Sequence, residues 1–359
     1  HKFLRSDSLY RGSRPVMWPI PEQTALAEAE VEYKEITLDT IWVKFPIKTV
    51  AGLPKDISEV RKNKFHGANI VIWTTTPWTL PGNRALAYGE NLEYVLIEVS
   101  SINEGSCVNI GDKLLVCNEN LILDKFCKQA KIQNFEILCG VKGSEISGFI
   151  CHHPLHEKDP HYSFDVPLLA GDFVTTDAGT GFVHIAPGHG ADDYLLGIKN
   201  KIEVPHTVGG DGKYFEHVPL FASLSVYMPD GKKGPANKLV MEAIKEAGNL
   251  VSYIPAHEKG AYTTNYPHSW RSKAPVIFRN TPQWFISMEK NDLRKKALAE
   301  IKKTRWVPAK GENRIGAMVE QRGDWCVSRQ RTWGVPIAIF VNKKTGELLS
   351  DEKVLKRII

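Results

Sequence analysis

The stretch that decides the fold is residues 73–83, Trp73-Thr74-Thr75-Thr76-Pro77-Trp78-Thr79-Leu80-Pro81-Gly82-Asn83. The apolar run 69–72 just before it is typical of a buried strand. Pro77 and Pro81 exclude both a helix and a central strand, so we expect a fixed, irregular loop. Three threonines alone are typical of an ordinary strand end. The whole run, with four hydroxyls, a carboxamide and two indoles, favours a loop that binds a neutral, hydroxyl-rich ligand beside an apolar group.

The composition is that of a globular protein with two or three cores: 359 residues, 42% hydrophobic and 24% charged. No segment approaches the roughly 18 apolar residues of a membrane span, and no signal peptide is visible. We therefore expect a cytoplasmic protein that does not contact a membrane. The net charge of +5 permits nucleic-acid binding without requiring it. The chain opens at His1 and not at methionine, so we expect a piece of a longer protein.

The cysteines indicate a reducing compartment. There are six of them and no C-x-x-C pair, which is typical of cytosolic usage and not of a disulfide framework. One cluster, Cys151-His152-His153-Pro154-Leu155-His156, has metal-ligating residue types. Its proline and its crowding favour a polar loop over a metal site.

Short strands dominate the predicted pattern, which favours a barrel or a sandwich. Strands are predicted at 41–47, where Ile41, Val43, Phe45 and Ile47 alternate, and at Glu93 to Val99, Lys113 to Cys117, Phe135 to Leu138 and Asp172 to Thr176. Helices are predicted at 24–31, 119–130, 190–200, 235–247 (closed by Gly248) and 289–303. Residues 1–20 are predicted to be an irregular connector, and 54–66 a surface loop.

A second chemical stretch is Asp177-Ala178-Gly179-Thr180-Gly181-Phe182-Val183-His184-Ile185-Ala186-Pro187-Gly188-His189-Gly190-Ala191-Asp192-Asp193-Tyr194. We predict a tight glycine turn, a short strand that carries His184, and a helix that begins near the aspartates. Carboxylates at a helix N-terminus are favoured by the helix dipole alone. Two carboxylates and two histidines within ten residues also suit an ammonium group. Zinc on His184, His189 and Asp193 would need a spacing that matches no common zinc pattern, so we expect no metal.

The two stretches together resemble the editing domain of isoleucyl-tRNA synthetase, an insertion in the catalytic Rossmann fold of that enzyme. The resemblance extends over nearly the whole chain, except for loops at 50–66, 101–112 and 152–163. It includes TALAEAEVEY at 24–33 and GDWCVSRQRTWGVPI at 323–337. Valyl and leucyl enzymes carry a TTRP-type sequence at the position of Thr74-Thr75-Thr76-Pro77, and they remain the alternative. The HIGH-type and KMSKS-type ATP motifs of this class are absent from the sequence.

The resemblance implies a β-rich α+β fold: a closed or partly open β-barrel with a few peripheral helices. It implies a connector at 1–32, an editing domain at 33–262 and, at 263–359, a return segment towards the catalytic domain. ATP and Mg²⁺ would serve the parent enzyme, which joins isoleucine to tRNA(Ile). For this segment we expect no cofactor, a monomeric state, and the 3′ end of tRNA(Ile) with its aminoacyl ester as partner.

The implied reaction is hydrolysis of valyl-tRNA(Ile), or of valyl-adenylate before transfer to the tRNA. An isoleucine pocket rejects valine poorly because one methylene is worth only about 1–3 kcal/mol, a limit for which the isoleucyl enzyme is itself the standard case. By resemblance, Asp193 binds the α-ammonium, Thr74, Thr75 and Thr76 contact adenosine and ester and position water, and His184 fences the amino-acid side chain. A further set is expected to bind substrate, the last two in a supporting role: Trp73, Asn83, Gly181, His189 and Asp192.

Two further expectations belong to this hypothesis, and two other interpretations compete with it. A water nucleophile is expected, with catalysis by positioning and carbonyl polarisation, because no side chain is an obvious nucleophile with a base beside it. The domain could instead bind the tRNA end without hydrolysis, or be an unrelated hydrolase with a cysteine or histidine nucleophile. The family's C-x-x-C zinc pair is replaced here by Ser269 and Ser272, so we expect no zinc at that point.

Overall fold

The computed structural model describes residues 2–51, 53, 59–177, 179–331, 334–349 and 351–358. Its α-helices are α1 (Lys2–Arg5), α2 (Glu59–Lys64), α3 (Asn120–Gln129), α4 (Ala191–Lys199), α5 (Ala236–Glu246), α6 (Leu293–Lys303), α7 (Lys310–Glu320) and α8 (Glu352–Ile358). Short 3-10 helices lie at Glu28–Glu30, Pro77–Gly82, Gly143–Glu145, Pro160–Tyr162 and Lys290–Asp292.

Strands make up the rest of the framework. They are β1 (Leu9–Pro19), β2 (Val31–Leu38), β3 (Thr40–Thr49), β4 (Ala68–Thr74), β5 (Ala85–Tyr88), β6 (Glu93–Ile102), β7 (Lys113–Cys117), β8 (Ile132–Lys142), β9 (Ile150–His152), β10 (Asp165–Ala170), β11 (Phe182–Ile185), β12 (Leu250–Ile254), β13 (Tyr262–Ser269), β14 (Val276–Ile286) and β15 (Trp325–Cys326).

The main sheet has ten strands and is open. Its order is β11-β5-β10-β9-β3-β4-β7-β6-β8, with β12 also paired to β3. The mixture of many strands with a few helices confirms the β-rich α+β class. The end strands β11 and β8 do not pair with each other, so the sheet is open and the prediction of a closed barrel is wrong. Two smaller sheets have the orders β1-β14-β15 and β13-β2.

The centre of the main sheet is buried on both faces. Ile41, Val43 and Phe45 of β3 are inaccessible to solvent, as their alternation predicted. Trp42, on the opposite face, is buried as well because it packs into a core that includes Phe126 of α3. Lys44 shares that face, and its ammonium lies 3.0 Å from the Asp112 carboxylate. A buried lysine needs such a partner, since an isolated buried charge is costly.

Most predicted elements are confirmed, and the exceptions have tertiary causes. The helix predicted at 24–31 is wrong: only Glu28–Glu30 is helical, as a 3-10 turn. The amide of Ala25 and the hydroxyl of Thr24 are instead within hydrogen-bond distance of the Gln330 side chain, which fixes the backbone there. The strand predicted at Asp172 to Thr176 is also wrong. β10 ends at Ala170, and a turn follows in which the Val174 amide donates to the Gly171 carbonyl.

Two segments predicted as irregular are regular. Residues 1–20 contain α1 and the eleven-residue strand β1. Within the predicted surface loop 54–66, residues 59–64 form α2, and 54–58 lie outside the described residues. The charged helix predicted at 289–303 begins as a regular helix only at Leu293.

The chain divides into two compact units. One comprises residues 1–14, 24–29 and 281–359, and the other residues 15–23 and 30–280. In the first unit the Asp324 carboxylate accepts hydrogen bonds from the Tyr10 hydroxyl, the Arg14 guanidinium and the Met288 amide. The second unit holds the ten-stranded sheet. The three-part division at 32 and 262 stays a prediction. Among the described helices, none combines the length and the apolar character that crossing a bilayer demands.

Candidate active site

A cavity of about 390 Å³ in the second unit brings the two chemical stretches together. Seven of the ten predicted site residues line it: Trp73, Thr74, Thr75, Thr76, His184, His189 and Asp193. The rest of its lining consists of Thr79, Phe173, Thr175, Gly179, Phe182, Val183, Ala186 and Gly190. The lining is therefore mixed: hydroxyls, two imidazoles and a carboxylate are polar, and aromatic and aliphatic groups are apolar.

The threonine-rich loop is fixed, but it is not irregular. Pro77–Gly82 forms a 3-10 helix, in which the Thr79 amide donates to the Thr76 carbonyl at 2.9 Å. Pro77 is compatible with the start of this helix, because the backbone N–H groups of the first helical residues make no hydrogen bond within the helix and proline lacks only that group. The prediction that two prolines exclude a helix is thus wrong for this short helix.

Side chains from other elements hold this 3-10 helix in place. Asn237 of α5 accepts a hydrogen bond from the Trp78 amide at 3.1 Å. The Tyr214 hydroxyl donates to the Trp78 carbonyl. His153 lies with Nε2 2.9 Å from the Leu80 carbonyl oxygen. Because groups from three segments engage its backbone, the threonine wall is pre-formed.

The glycine turn of the second stretch lies against the first. The Thr180 hydroxyl donates to the Val71 carbonyl of β4 at 2.5 Å, and the Cys117 amide donates to the Thr180 carbonyl at 2.8 Å. Gly179 and Gly181 on either side have φ of +85° and +77°, a region that strongly favours glycine. This turn feeds β11, which places His184 opposite the threonines.

Hydroxyl groups form a connected row from the end of β4 to His184. Thr74 Oγ1 accepts from the Thr76 amide at 3.1 Å, and the Thr76 hydroxyl lies 3.3 Å from those of both Thr74 and Thr79. The Thr79 hydroxyl lies 2.8 Å from the Thr76 carbonyl oxygen and 3.0 Å from His184 Nε2. No described residue is hydrogen-bonded to the Thr75 hydroxyl, so that group is available to a ligand or water in the cavity.

His184 is neutral, and its tautomer follows from its neighbours. The Thr79 hydroxyl donates its hydrogen bond to the Thr76 carbonyl oxygen. In the contact between Thr79 and His184 we therefore assign the Thr79 oxygen as the acceptor and His184 Nε2 as the donor. Nδ1 is then a buried acceptor with no partner among the described residues. Burial lowers the pKa of His184 to about 4. This tautomer cannot deprotonate Thr79, which argues against a threonine–histidine nucleophile.

His189 has both ring nitrogens engaged. Nδ1 lies 2.9 Å from the Phe278 carbonyl oxygen and donates to it, so Nε2 accepts from the Thr207 hydroxyl at 2.5 Å. The ring also stands edge-on to Trp78, with centroids 4.8 Å apart. Burial lowers the pKa of His189 to about 4. The side chain therefore braces the cavity wall and has no nitrogen left for a substrate.

Asp193 provides the carboxylate of the cavity. It is the third residue of α4, and its Oδ2 accepts a hydrogen bond from the Ala186 amide at 2.8 Å. Burial raises the pKa of Asp193 to about 6; the Ala186 hydrogen bond acts in the opposite direction, and nearby Asp192 adds to the rise. A carboxylate held in a cavity at this cost is suited to a cationic group.

Three predicted site residues do not reach the cavity. Gly181 is packed behind it, because a Cβ there would lie 2.6 Å from Cys117 Cβ. Asn83 is 0% exposed, and its amide donates to the Ala85 carbonyl while Oδ1 has no partner among the described residues. Asp192 is exposed on the first turn of α4. The structure does not place any of the three where a ligand in this cavity would touch it.

Sequence reasoning missed Thr79, the Ala186 amide and Gly190. Thr79 belongs to the quoted run and offers a fourth hydroxyl, so a signal was present. A backbone amide and a glycine carry no such signal, since only the fold brings them to the Asp193 carboxylate.

Neither the group His184, His189 and Asp193 nor the 151–156 cluster has the geometry of a metal site. In the parts of the chain that are described, no three His, Cys, Asp or Glu side chains are grouped so as to hold a metal ion. In the 151–156 cluster, His153 is fully buried. Its Nε2 donates to Leu80 and its Nδ1 accepts from the Leu155 amide at 3.2 Å, which leaves no ligand atom.

Ser269 and Ser272, which stand at the positions of the family's zinc-binding cysteines, both interact with a carboxylate. Ser269 is fully buried, and its hydroxyl donates to the Glu22 carboxylate. The Ser272 amide lies 3.2 Å from the same oxygen. One carboxylate therefore ties the turn at 269–272 to the segment before residue 24.

A sequence model of the family described as tRNA synthetases class I (I, L, M and V) matches residues 1–358. The chain belongs to this family. The match spans both compact units, and so it includes the threonine loop, the glycine turn and the Asp193 helix.

Among curated relatives, this class I synthetase segment is similar to isoleucine–tRNA ligases. It is 48% identical to that of Caulobacter vibrioides over 375 residues, 48% to that of Gluconobacter oxydans over 362 residues, and 46% to that of Pelagibacter ubique over 357 residues. These alignments cover 99–100% of the chain and 36% of each relative. The chain thus spans about a third of the length of these relatives, and the resemblance to isoleucyl-tRNA synthetases is confirmed.

Solved structures similar to this synthetase segment include leucyl-tRNA synthetase editing domains. That of P. falciparum has a TM-score of 0.35 at 15% identity, and the alignment covers 46% of this chain and 67% of that one. That of P. knowlesi has a TM-score of 0.35 at 16% identity, with 47% and 65% covered.

Proposed function

We propose that this chain hydrolyses the ester bond of valyl-tRNA(Ile), as the editing domain of an isoleucine–tRNA ligase. The observation that carries the proposal is the cavity itself, because its lining combines one carboxylate, Asp193, with a row of threonine hydroxyls. The substrate has matching groups, namely an α-ammonium, an ester carbonyl and the ribose hydroxyls of a terminal adenosine.

The residues have separate tasks in this mechanism. Asp193 binds the ammonium, because a charge-assisted hydrogen bond compensates for its desolvation. The hydroxyl row and the free Thr75 hydroxyl position the ester and the attacking water. His184 closes the cavity beside Thr79 as a neutral ring. Rate enhancement comes from positioning and from polarisation of the carbonyl.

A cysteine nucleophile fits the structure less well. None of the described residues that line the cavity is a cysteine. Burial raises the pKa of Cys127 to about 11, and it also raises the pKa values of Cys117, Cys139 and Cys151. These thiols are therefore poor thiolates at neutral pH. A thiol-blocking reagent is expected to leave deacylation unchanged.

The parent enzyme is proposed to attach isoleucine to tRNA(Ile) with ATP and Mg²⁺ in the cytoplasm. For the chain itself we propose action as a monomer on the 3′ end of tRNA(Ile), with no cofactor. Hydrolysis of valyl-adenylate is a second proposed activity of the same cavity. Because the ATP motifs are absent from this sequence, we expect no isoleucine-dependent pyrophosphate exchange.

The test is deacylation of valyl-tRNA(Ile) by the unmodified chain and by two variants, Asp193→Ala and Asp192→Ala. Loss of the half-buried Asp193 carboxylate leaves the substrate ammonium without its charged partner, at a cost of about 3 kcal/mol. Each 1.36 kcal/mol is worth about tenfold in rate, so the rate is expected to fall at least 100-fold. Asp192 is exposed and off the cavity, so its variant is expected to stay within about threefold of the parent. Equal losses for both variants, or none for Asp193→Ala, would contradict the assignment. Tight binding of the tRNA end without hydrolysis would support the binding-module alternative.

A further inference from the structure

The space beside Gly190 is occupied by the Asp193 carboxylate, so a side chain fits there only if that carboxylate moves. A Cβ built on Gly190 would lie 2.7 Å from Asp193 Oδ1, 2.8 Å from Asp193 Cγ and 3.2 Å from Asp193 Oδ2. Its φ of −148° and ψ of 146° are ordinary extended values that any residue adopts. Glycine at this position therefore leaves room for the Asp193 carboxylate, and the backbone conformation does not require it.

Helix capping gives no separate reason for this glycine. Gly190 is the residue before α4, where serine, asparagine or aspartate caps as well as glycine or better. What distinguishes glycine at this position is the neighbouring carboxylate, which lies over the missing side chain. Gly190, Ala186 and Asp193 all line the cavity.

The Ala186 amide donates a hydrogen bond to Asp193 Oδ2 at 2.8 Å, and the backbone amide of Asp193 itself also stabilises the ionised carboxylate. A Cβ needs about 3.4 Å or more from these atoms. Oδ1 and Cγ would each have to move by roughly 0.6–0.7 Å. Oδ2 belongs to the same rigid, planar carboxyl group, so its 2.8 Å hydrogen bond to the Ala186 amide changes with that movement.

We propose that Gly190 is a positioning residue for the reaction. Its missing side chain lets the Asp193 carboxylate lie on the Ala186 amide and face the cavity, where the carboxylate binds the ammonium group of the substrate. The binding of the substrate's ammonium group rests on the proposed function. The positioning of the Asp193 carboxylate by Gly190 does not.

The titration of Asp193 reports its position independently of activity. The Ala186 hydrogen bond favours the ionised form, so its loss raises the pKa of Asp193 further. Asp192 on the same helix turn interacts with it electrostatically, and His184 and His189 are the other ionisable residues among the described lining of the cavity. Burial keeps both histidines neutral at pH 7.

The experiment uses the full chain with Gly190→Ala and Gly190→Ser, and with Gly316→Ala as the matched control. Gly316 lies in α7, and a Cβ there meets no atom within 4 Å. The ¹³C carboxyl shift of Asp193, assigned by its absence in Asp193→Ala, is followed from pH 4 to 8. The pH profile of deacylation of valyl-tRNA(Ile) is measured in parallel.

Both Gly190 variants are expected to lose at least tenfold in kcat/KM, mainly through KM, and their Asp193 titration is expected to move to higher pH. Gly316→Ala is expected to match the parent in both measurements. An unchanged Asp193 titration in both Gly190 variants would overturn the proposal. If the parent chain itself does not deacylate valyl-tRNA(Ile), the proposed function fails while the titration still decides the role of Gly190.

A double-mutant cycle covers the case in which the single variants are unstable. With alanine at 193, the space beside residue 190 is empty, so Gly190→Ala is expected to lower the melting temperature in the parent background and not in the Asp193→Ala background. Equal destabilisation in both backgrounds would show that Gly190 does not act through Asp193, and the proposal would be wrong.

Discussion

The Thr79 hydroxyl oxygen lies 3.0 Å from Nε2 of His184, although 105 positions separate the two residues. This contact joins the threonine loop to the glycine-rich stretch, and it determines which form of the imidazole the cavity contains. Since the Thr79 proton is directed to the Thr76 carbonyl, His184 donates and does not accept. The pair therefore supports a mechanism by positioned water and not by an activated threonine.

The Thr75 and Thr74 hydroxyls are expected to have different roles. Thr75→Val removes a hydroxyl that bonds to no described residue, so deacylation is expected to fall at least tenfold with no change in melting temperature. Thr74→Val removes the acceptor of the Thr76 amide and is expected also to destabilise the chain, by about 1–2 kcal/mol. Single-turnover deacylation and thermal melting check both variants. A Thr75→Val variant at parent rate would remove Thr75 from the mechanism.

The Asp193 carboxyl group is expected to make the chain less stable at neutral than at acidic pH. Its pKa is raised to about 6, so the folded state binds its proton more tightly than the unfolded state. Stability therefore falls as pH rises from about 4 to 6. Ionisation of Asp193 lowers the free energy of unfolding by on the order of 2–3 kcal/mol, and Asp193→Asn removes this effect. The variant is therefore expected to be more stable than the parent at pH 7.5 and no more stable at pH 4.

Urea unfolding of the parent and Asp193→Asn at the two pH values measures this difference. The same Asn variant is expected to be inactive, because an amide cannot pair with an ammonium charge. A stability gain that is equal at pH 4 and pH 7.5 would show that ionisation of Asp193 is not its cause.

Buried histidines act in the opposite direction. Burial lowers the pKa of His153 to about 3, and the pKa values of His184 and His189 to about 4. The unfolded state then takes up protons first, so stability is lost as pH falls below about 6.5. His153→Gln is expected to reduce the loss between pH 7.5 and pH 5 by about 2 kcal/mol, even if the variant is less stable throughout.

Urea unfolding at pH 7.5 and pH 5 provides the measurement, and His66→Gln on the surface is the matched control. The control is expected to keep the full acid sensitivity of the parent. If His153→Gln keeps it too, the buried neutral state of His153 is not what acid disrupts.

The Glu22 carboxylate is expected to stabilise the turn at 269–272 without metal. Glu22→Ala leaves the buried Ser269 hydroxyl and the Ser272 amide without their acceptor, at a cost of about 1–3 kcal/mol. In the double variant Glu22→Ala/Ser269→Ala part of that cost is expected to be recovered, because no buried hydroxyl is then left unpaired. Additive costs in thermal melts would contradict this coupling.

Metal analysis of the same samples tests the prediction of zinc independence. We expect substoichiometric zinc in the purified chain, and deacylation and melting temperature that do not change with a chelator. Stoichiometric zinc whose removal lowers either quantity would refute the prediction.

The sequence by itself determined those features that depend on neighbouring residues. The apolar run before Trp73 predicted β4, the glycines at 179 and 181 predicted a turn, and the aspartate pair predicted the start of α4. These patterns reflect local backbone preferences and periodicity, so one stretch is enough to reveal them. The specific order of the two motifs also indicated the family.

Only the tertiary structure decided which of those residues form the cavity. Asp192 and Asp193 are adjacent and chemically equal, yet one faces solvent and the other the Ala186 amide. Asn83 is buried away from the cavity, and a side chain at Gly190 would contact a carboxylate three residues later. Burial, tautomer and pKa depend on groups that distant segments bring together, and a local pattern carries no information about those groups.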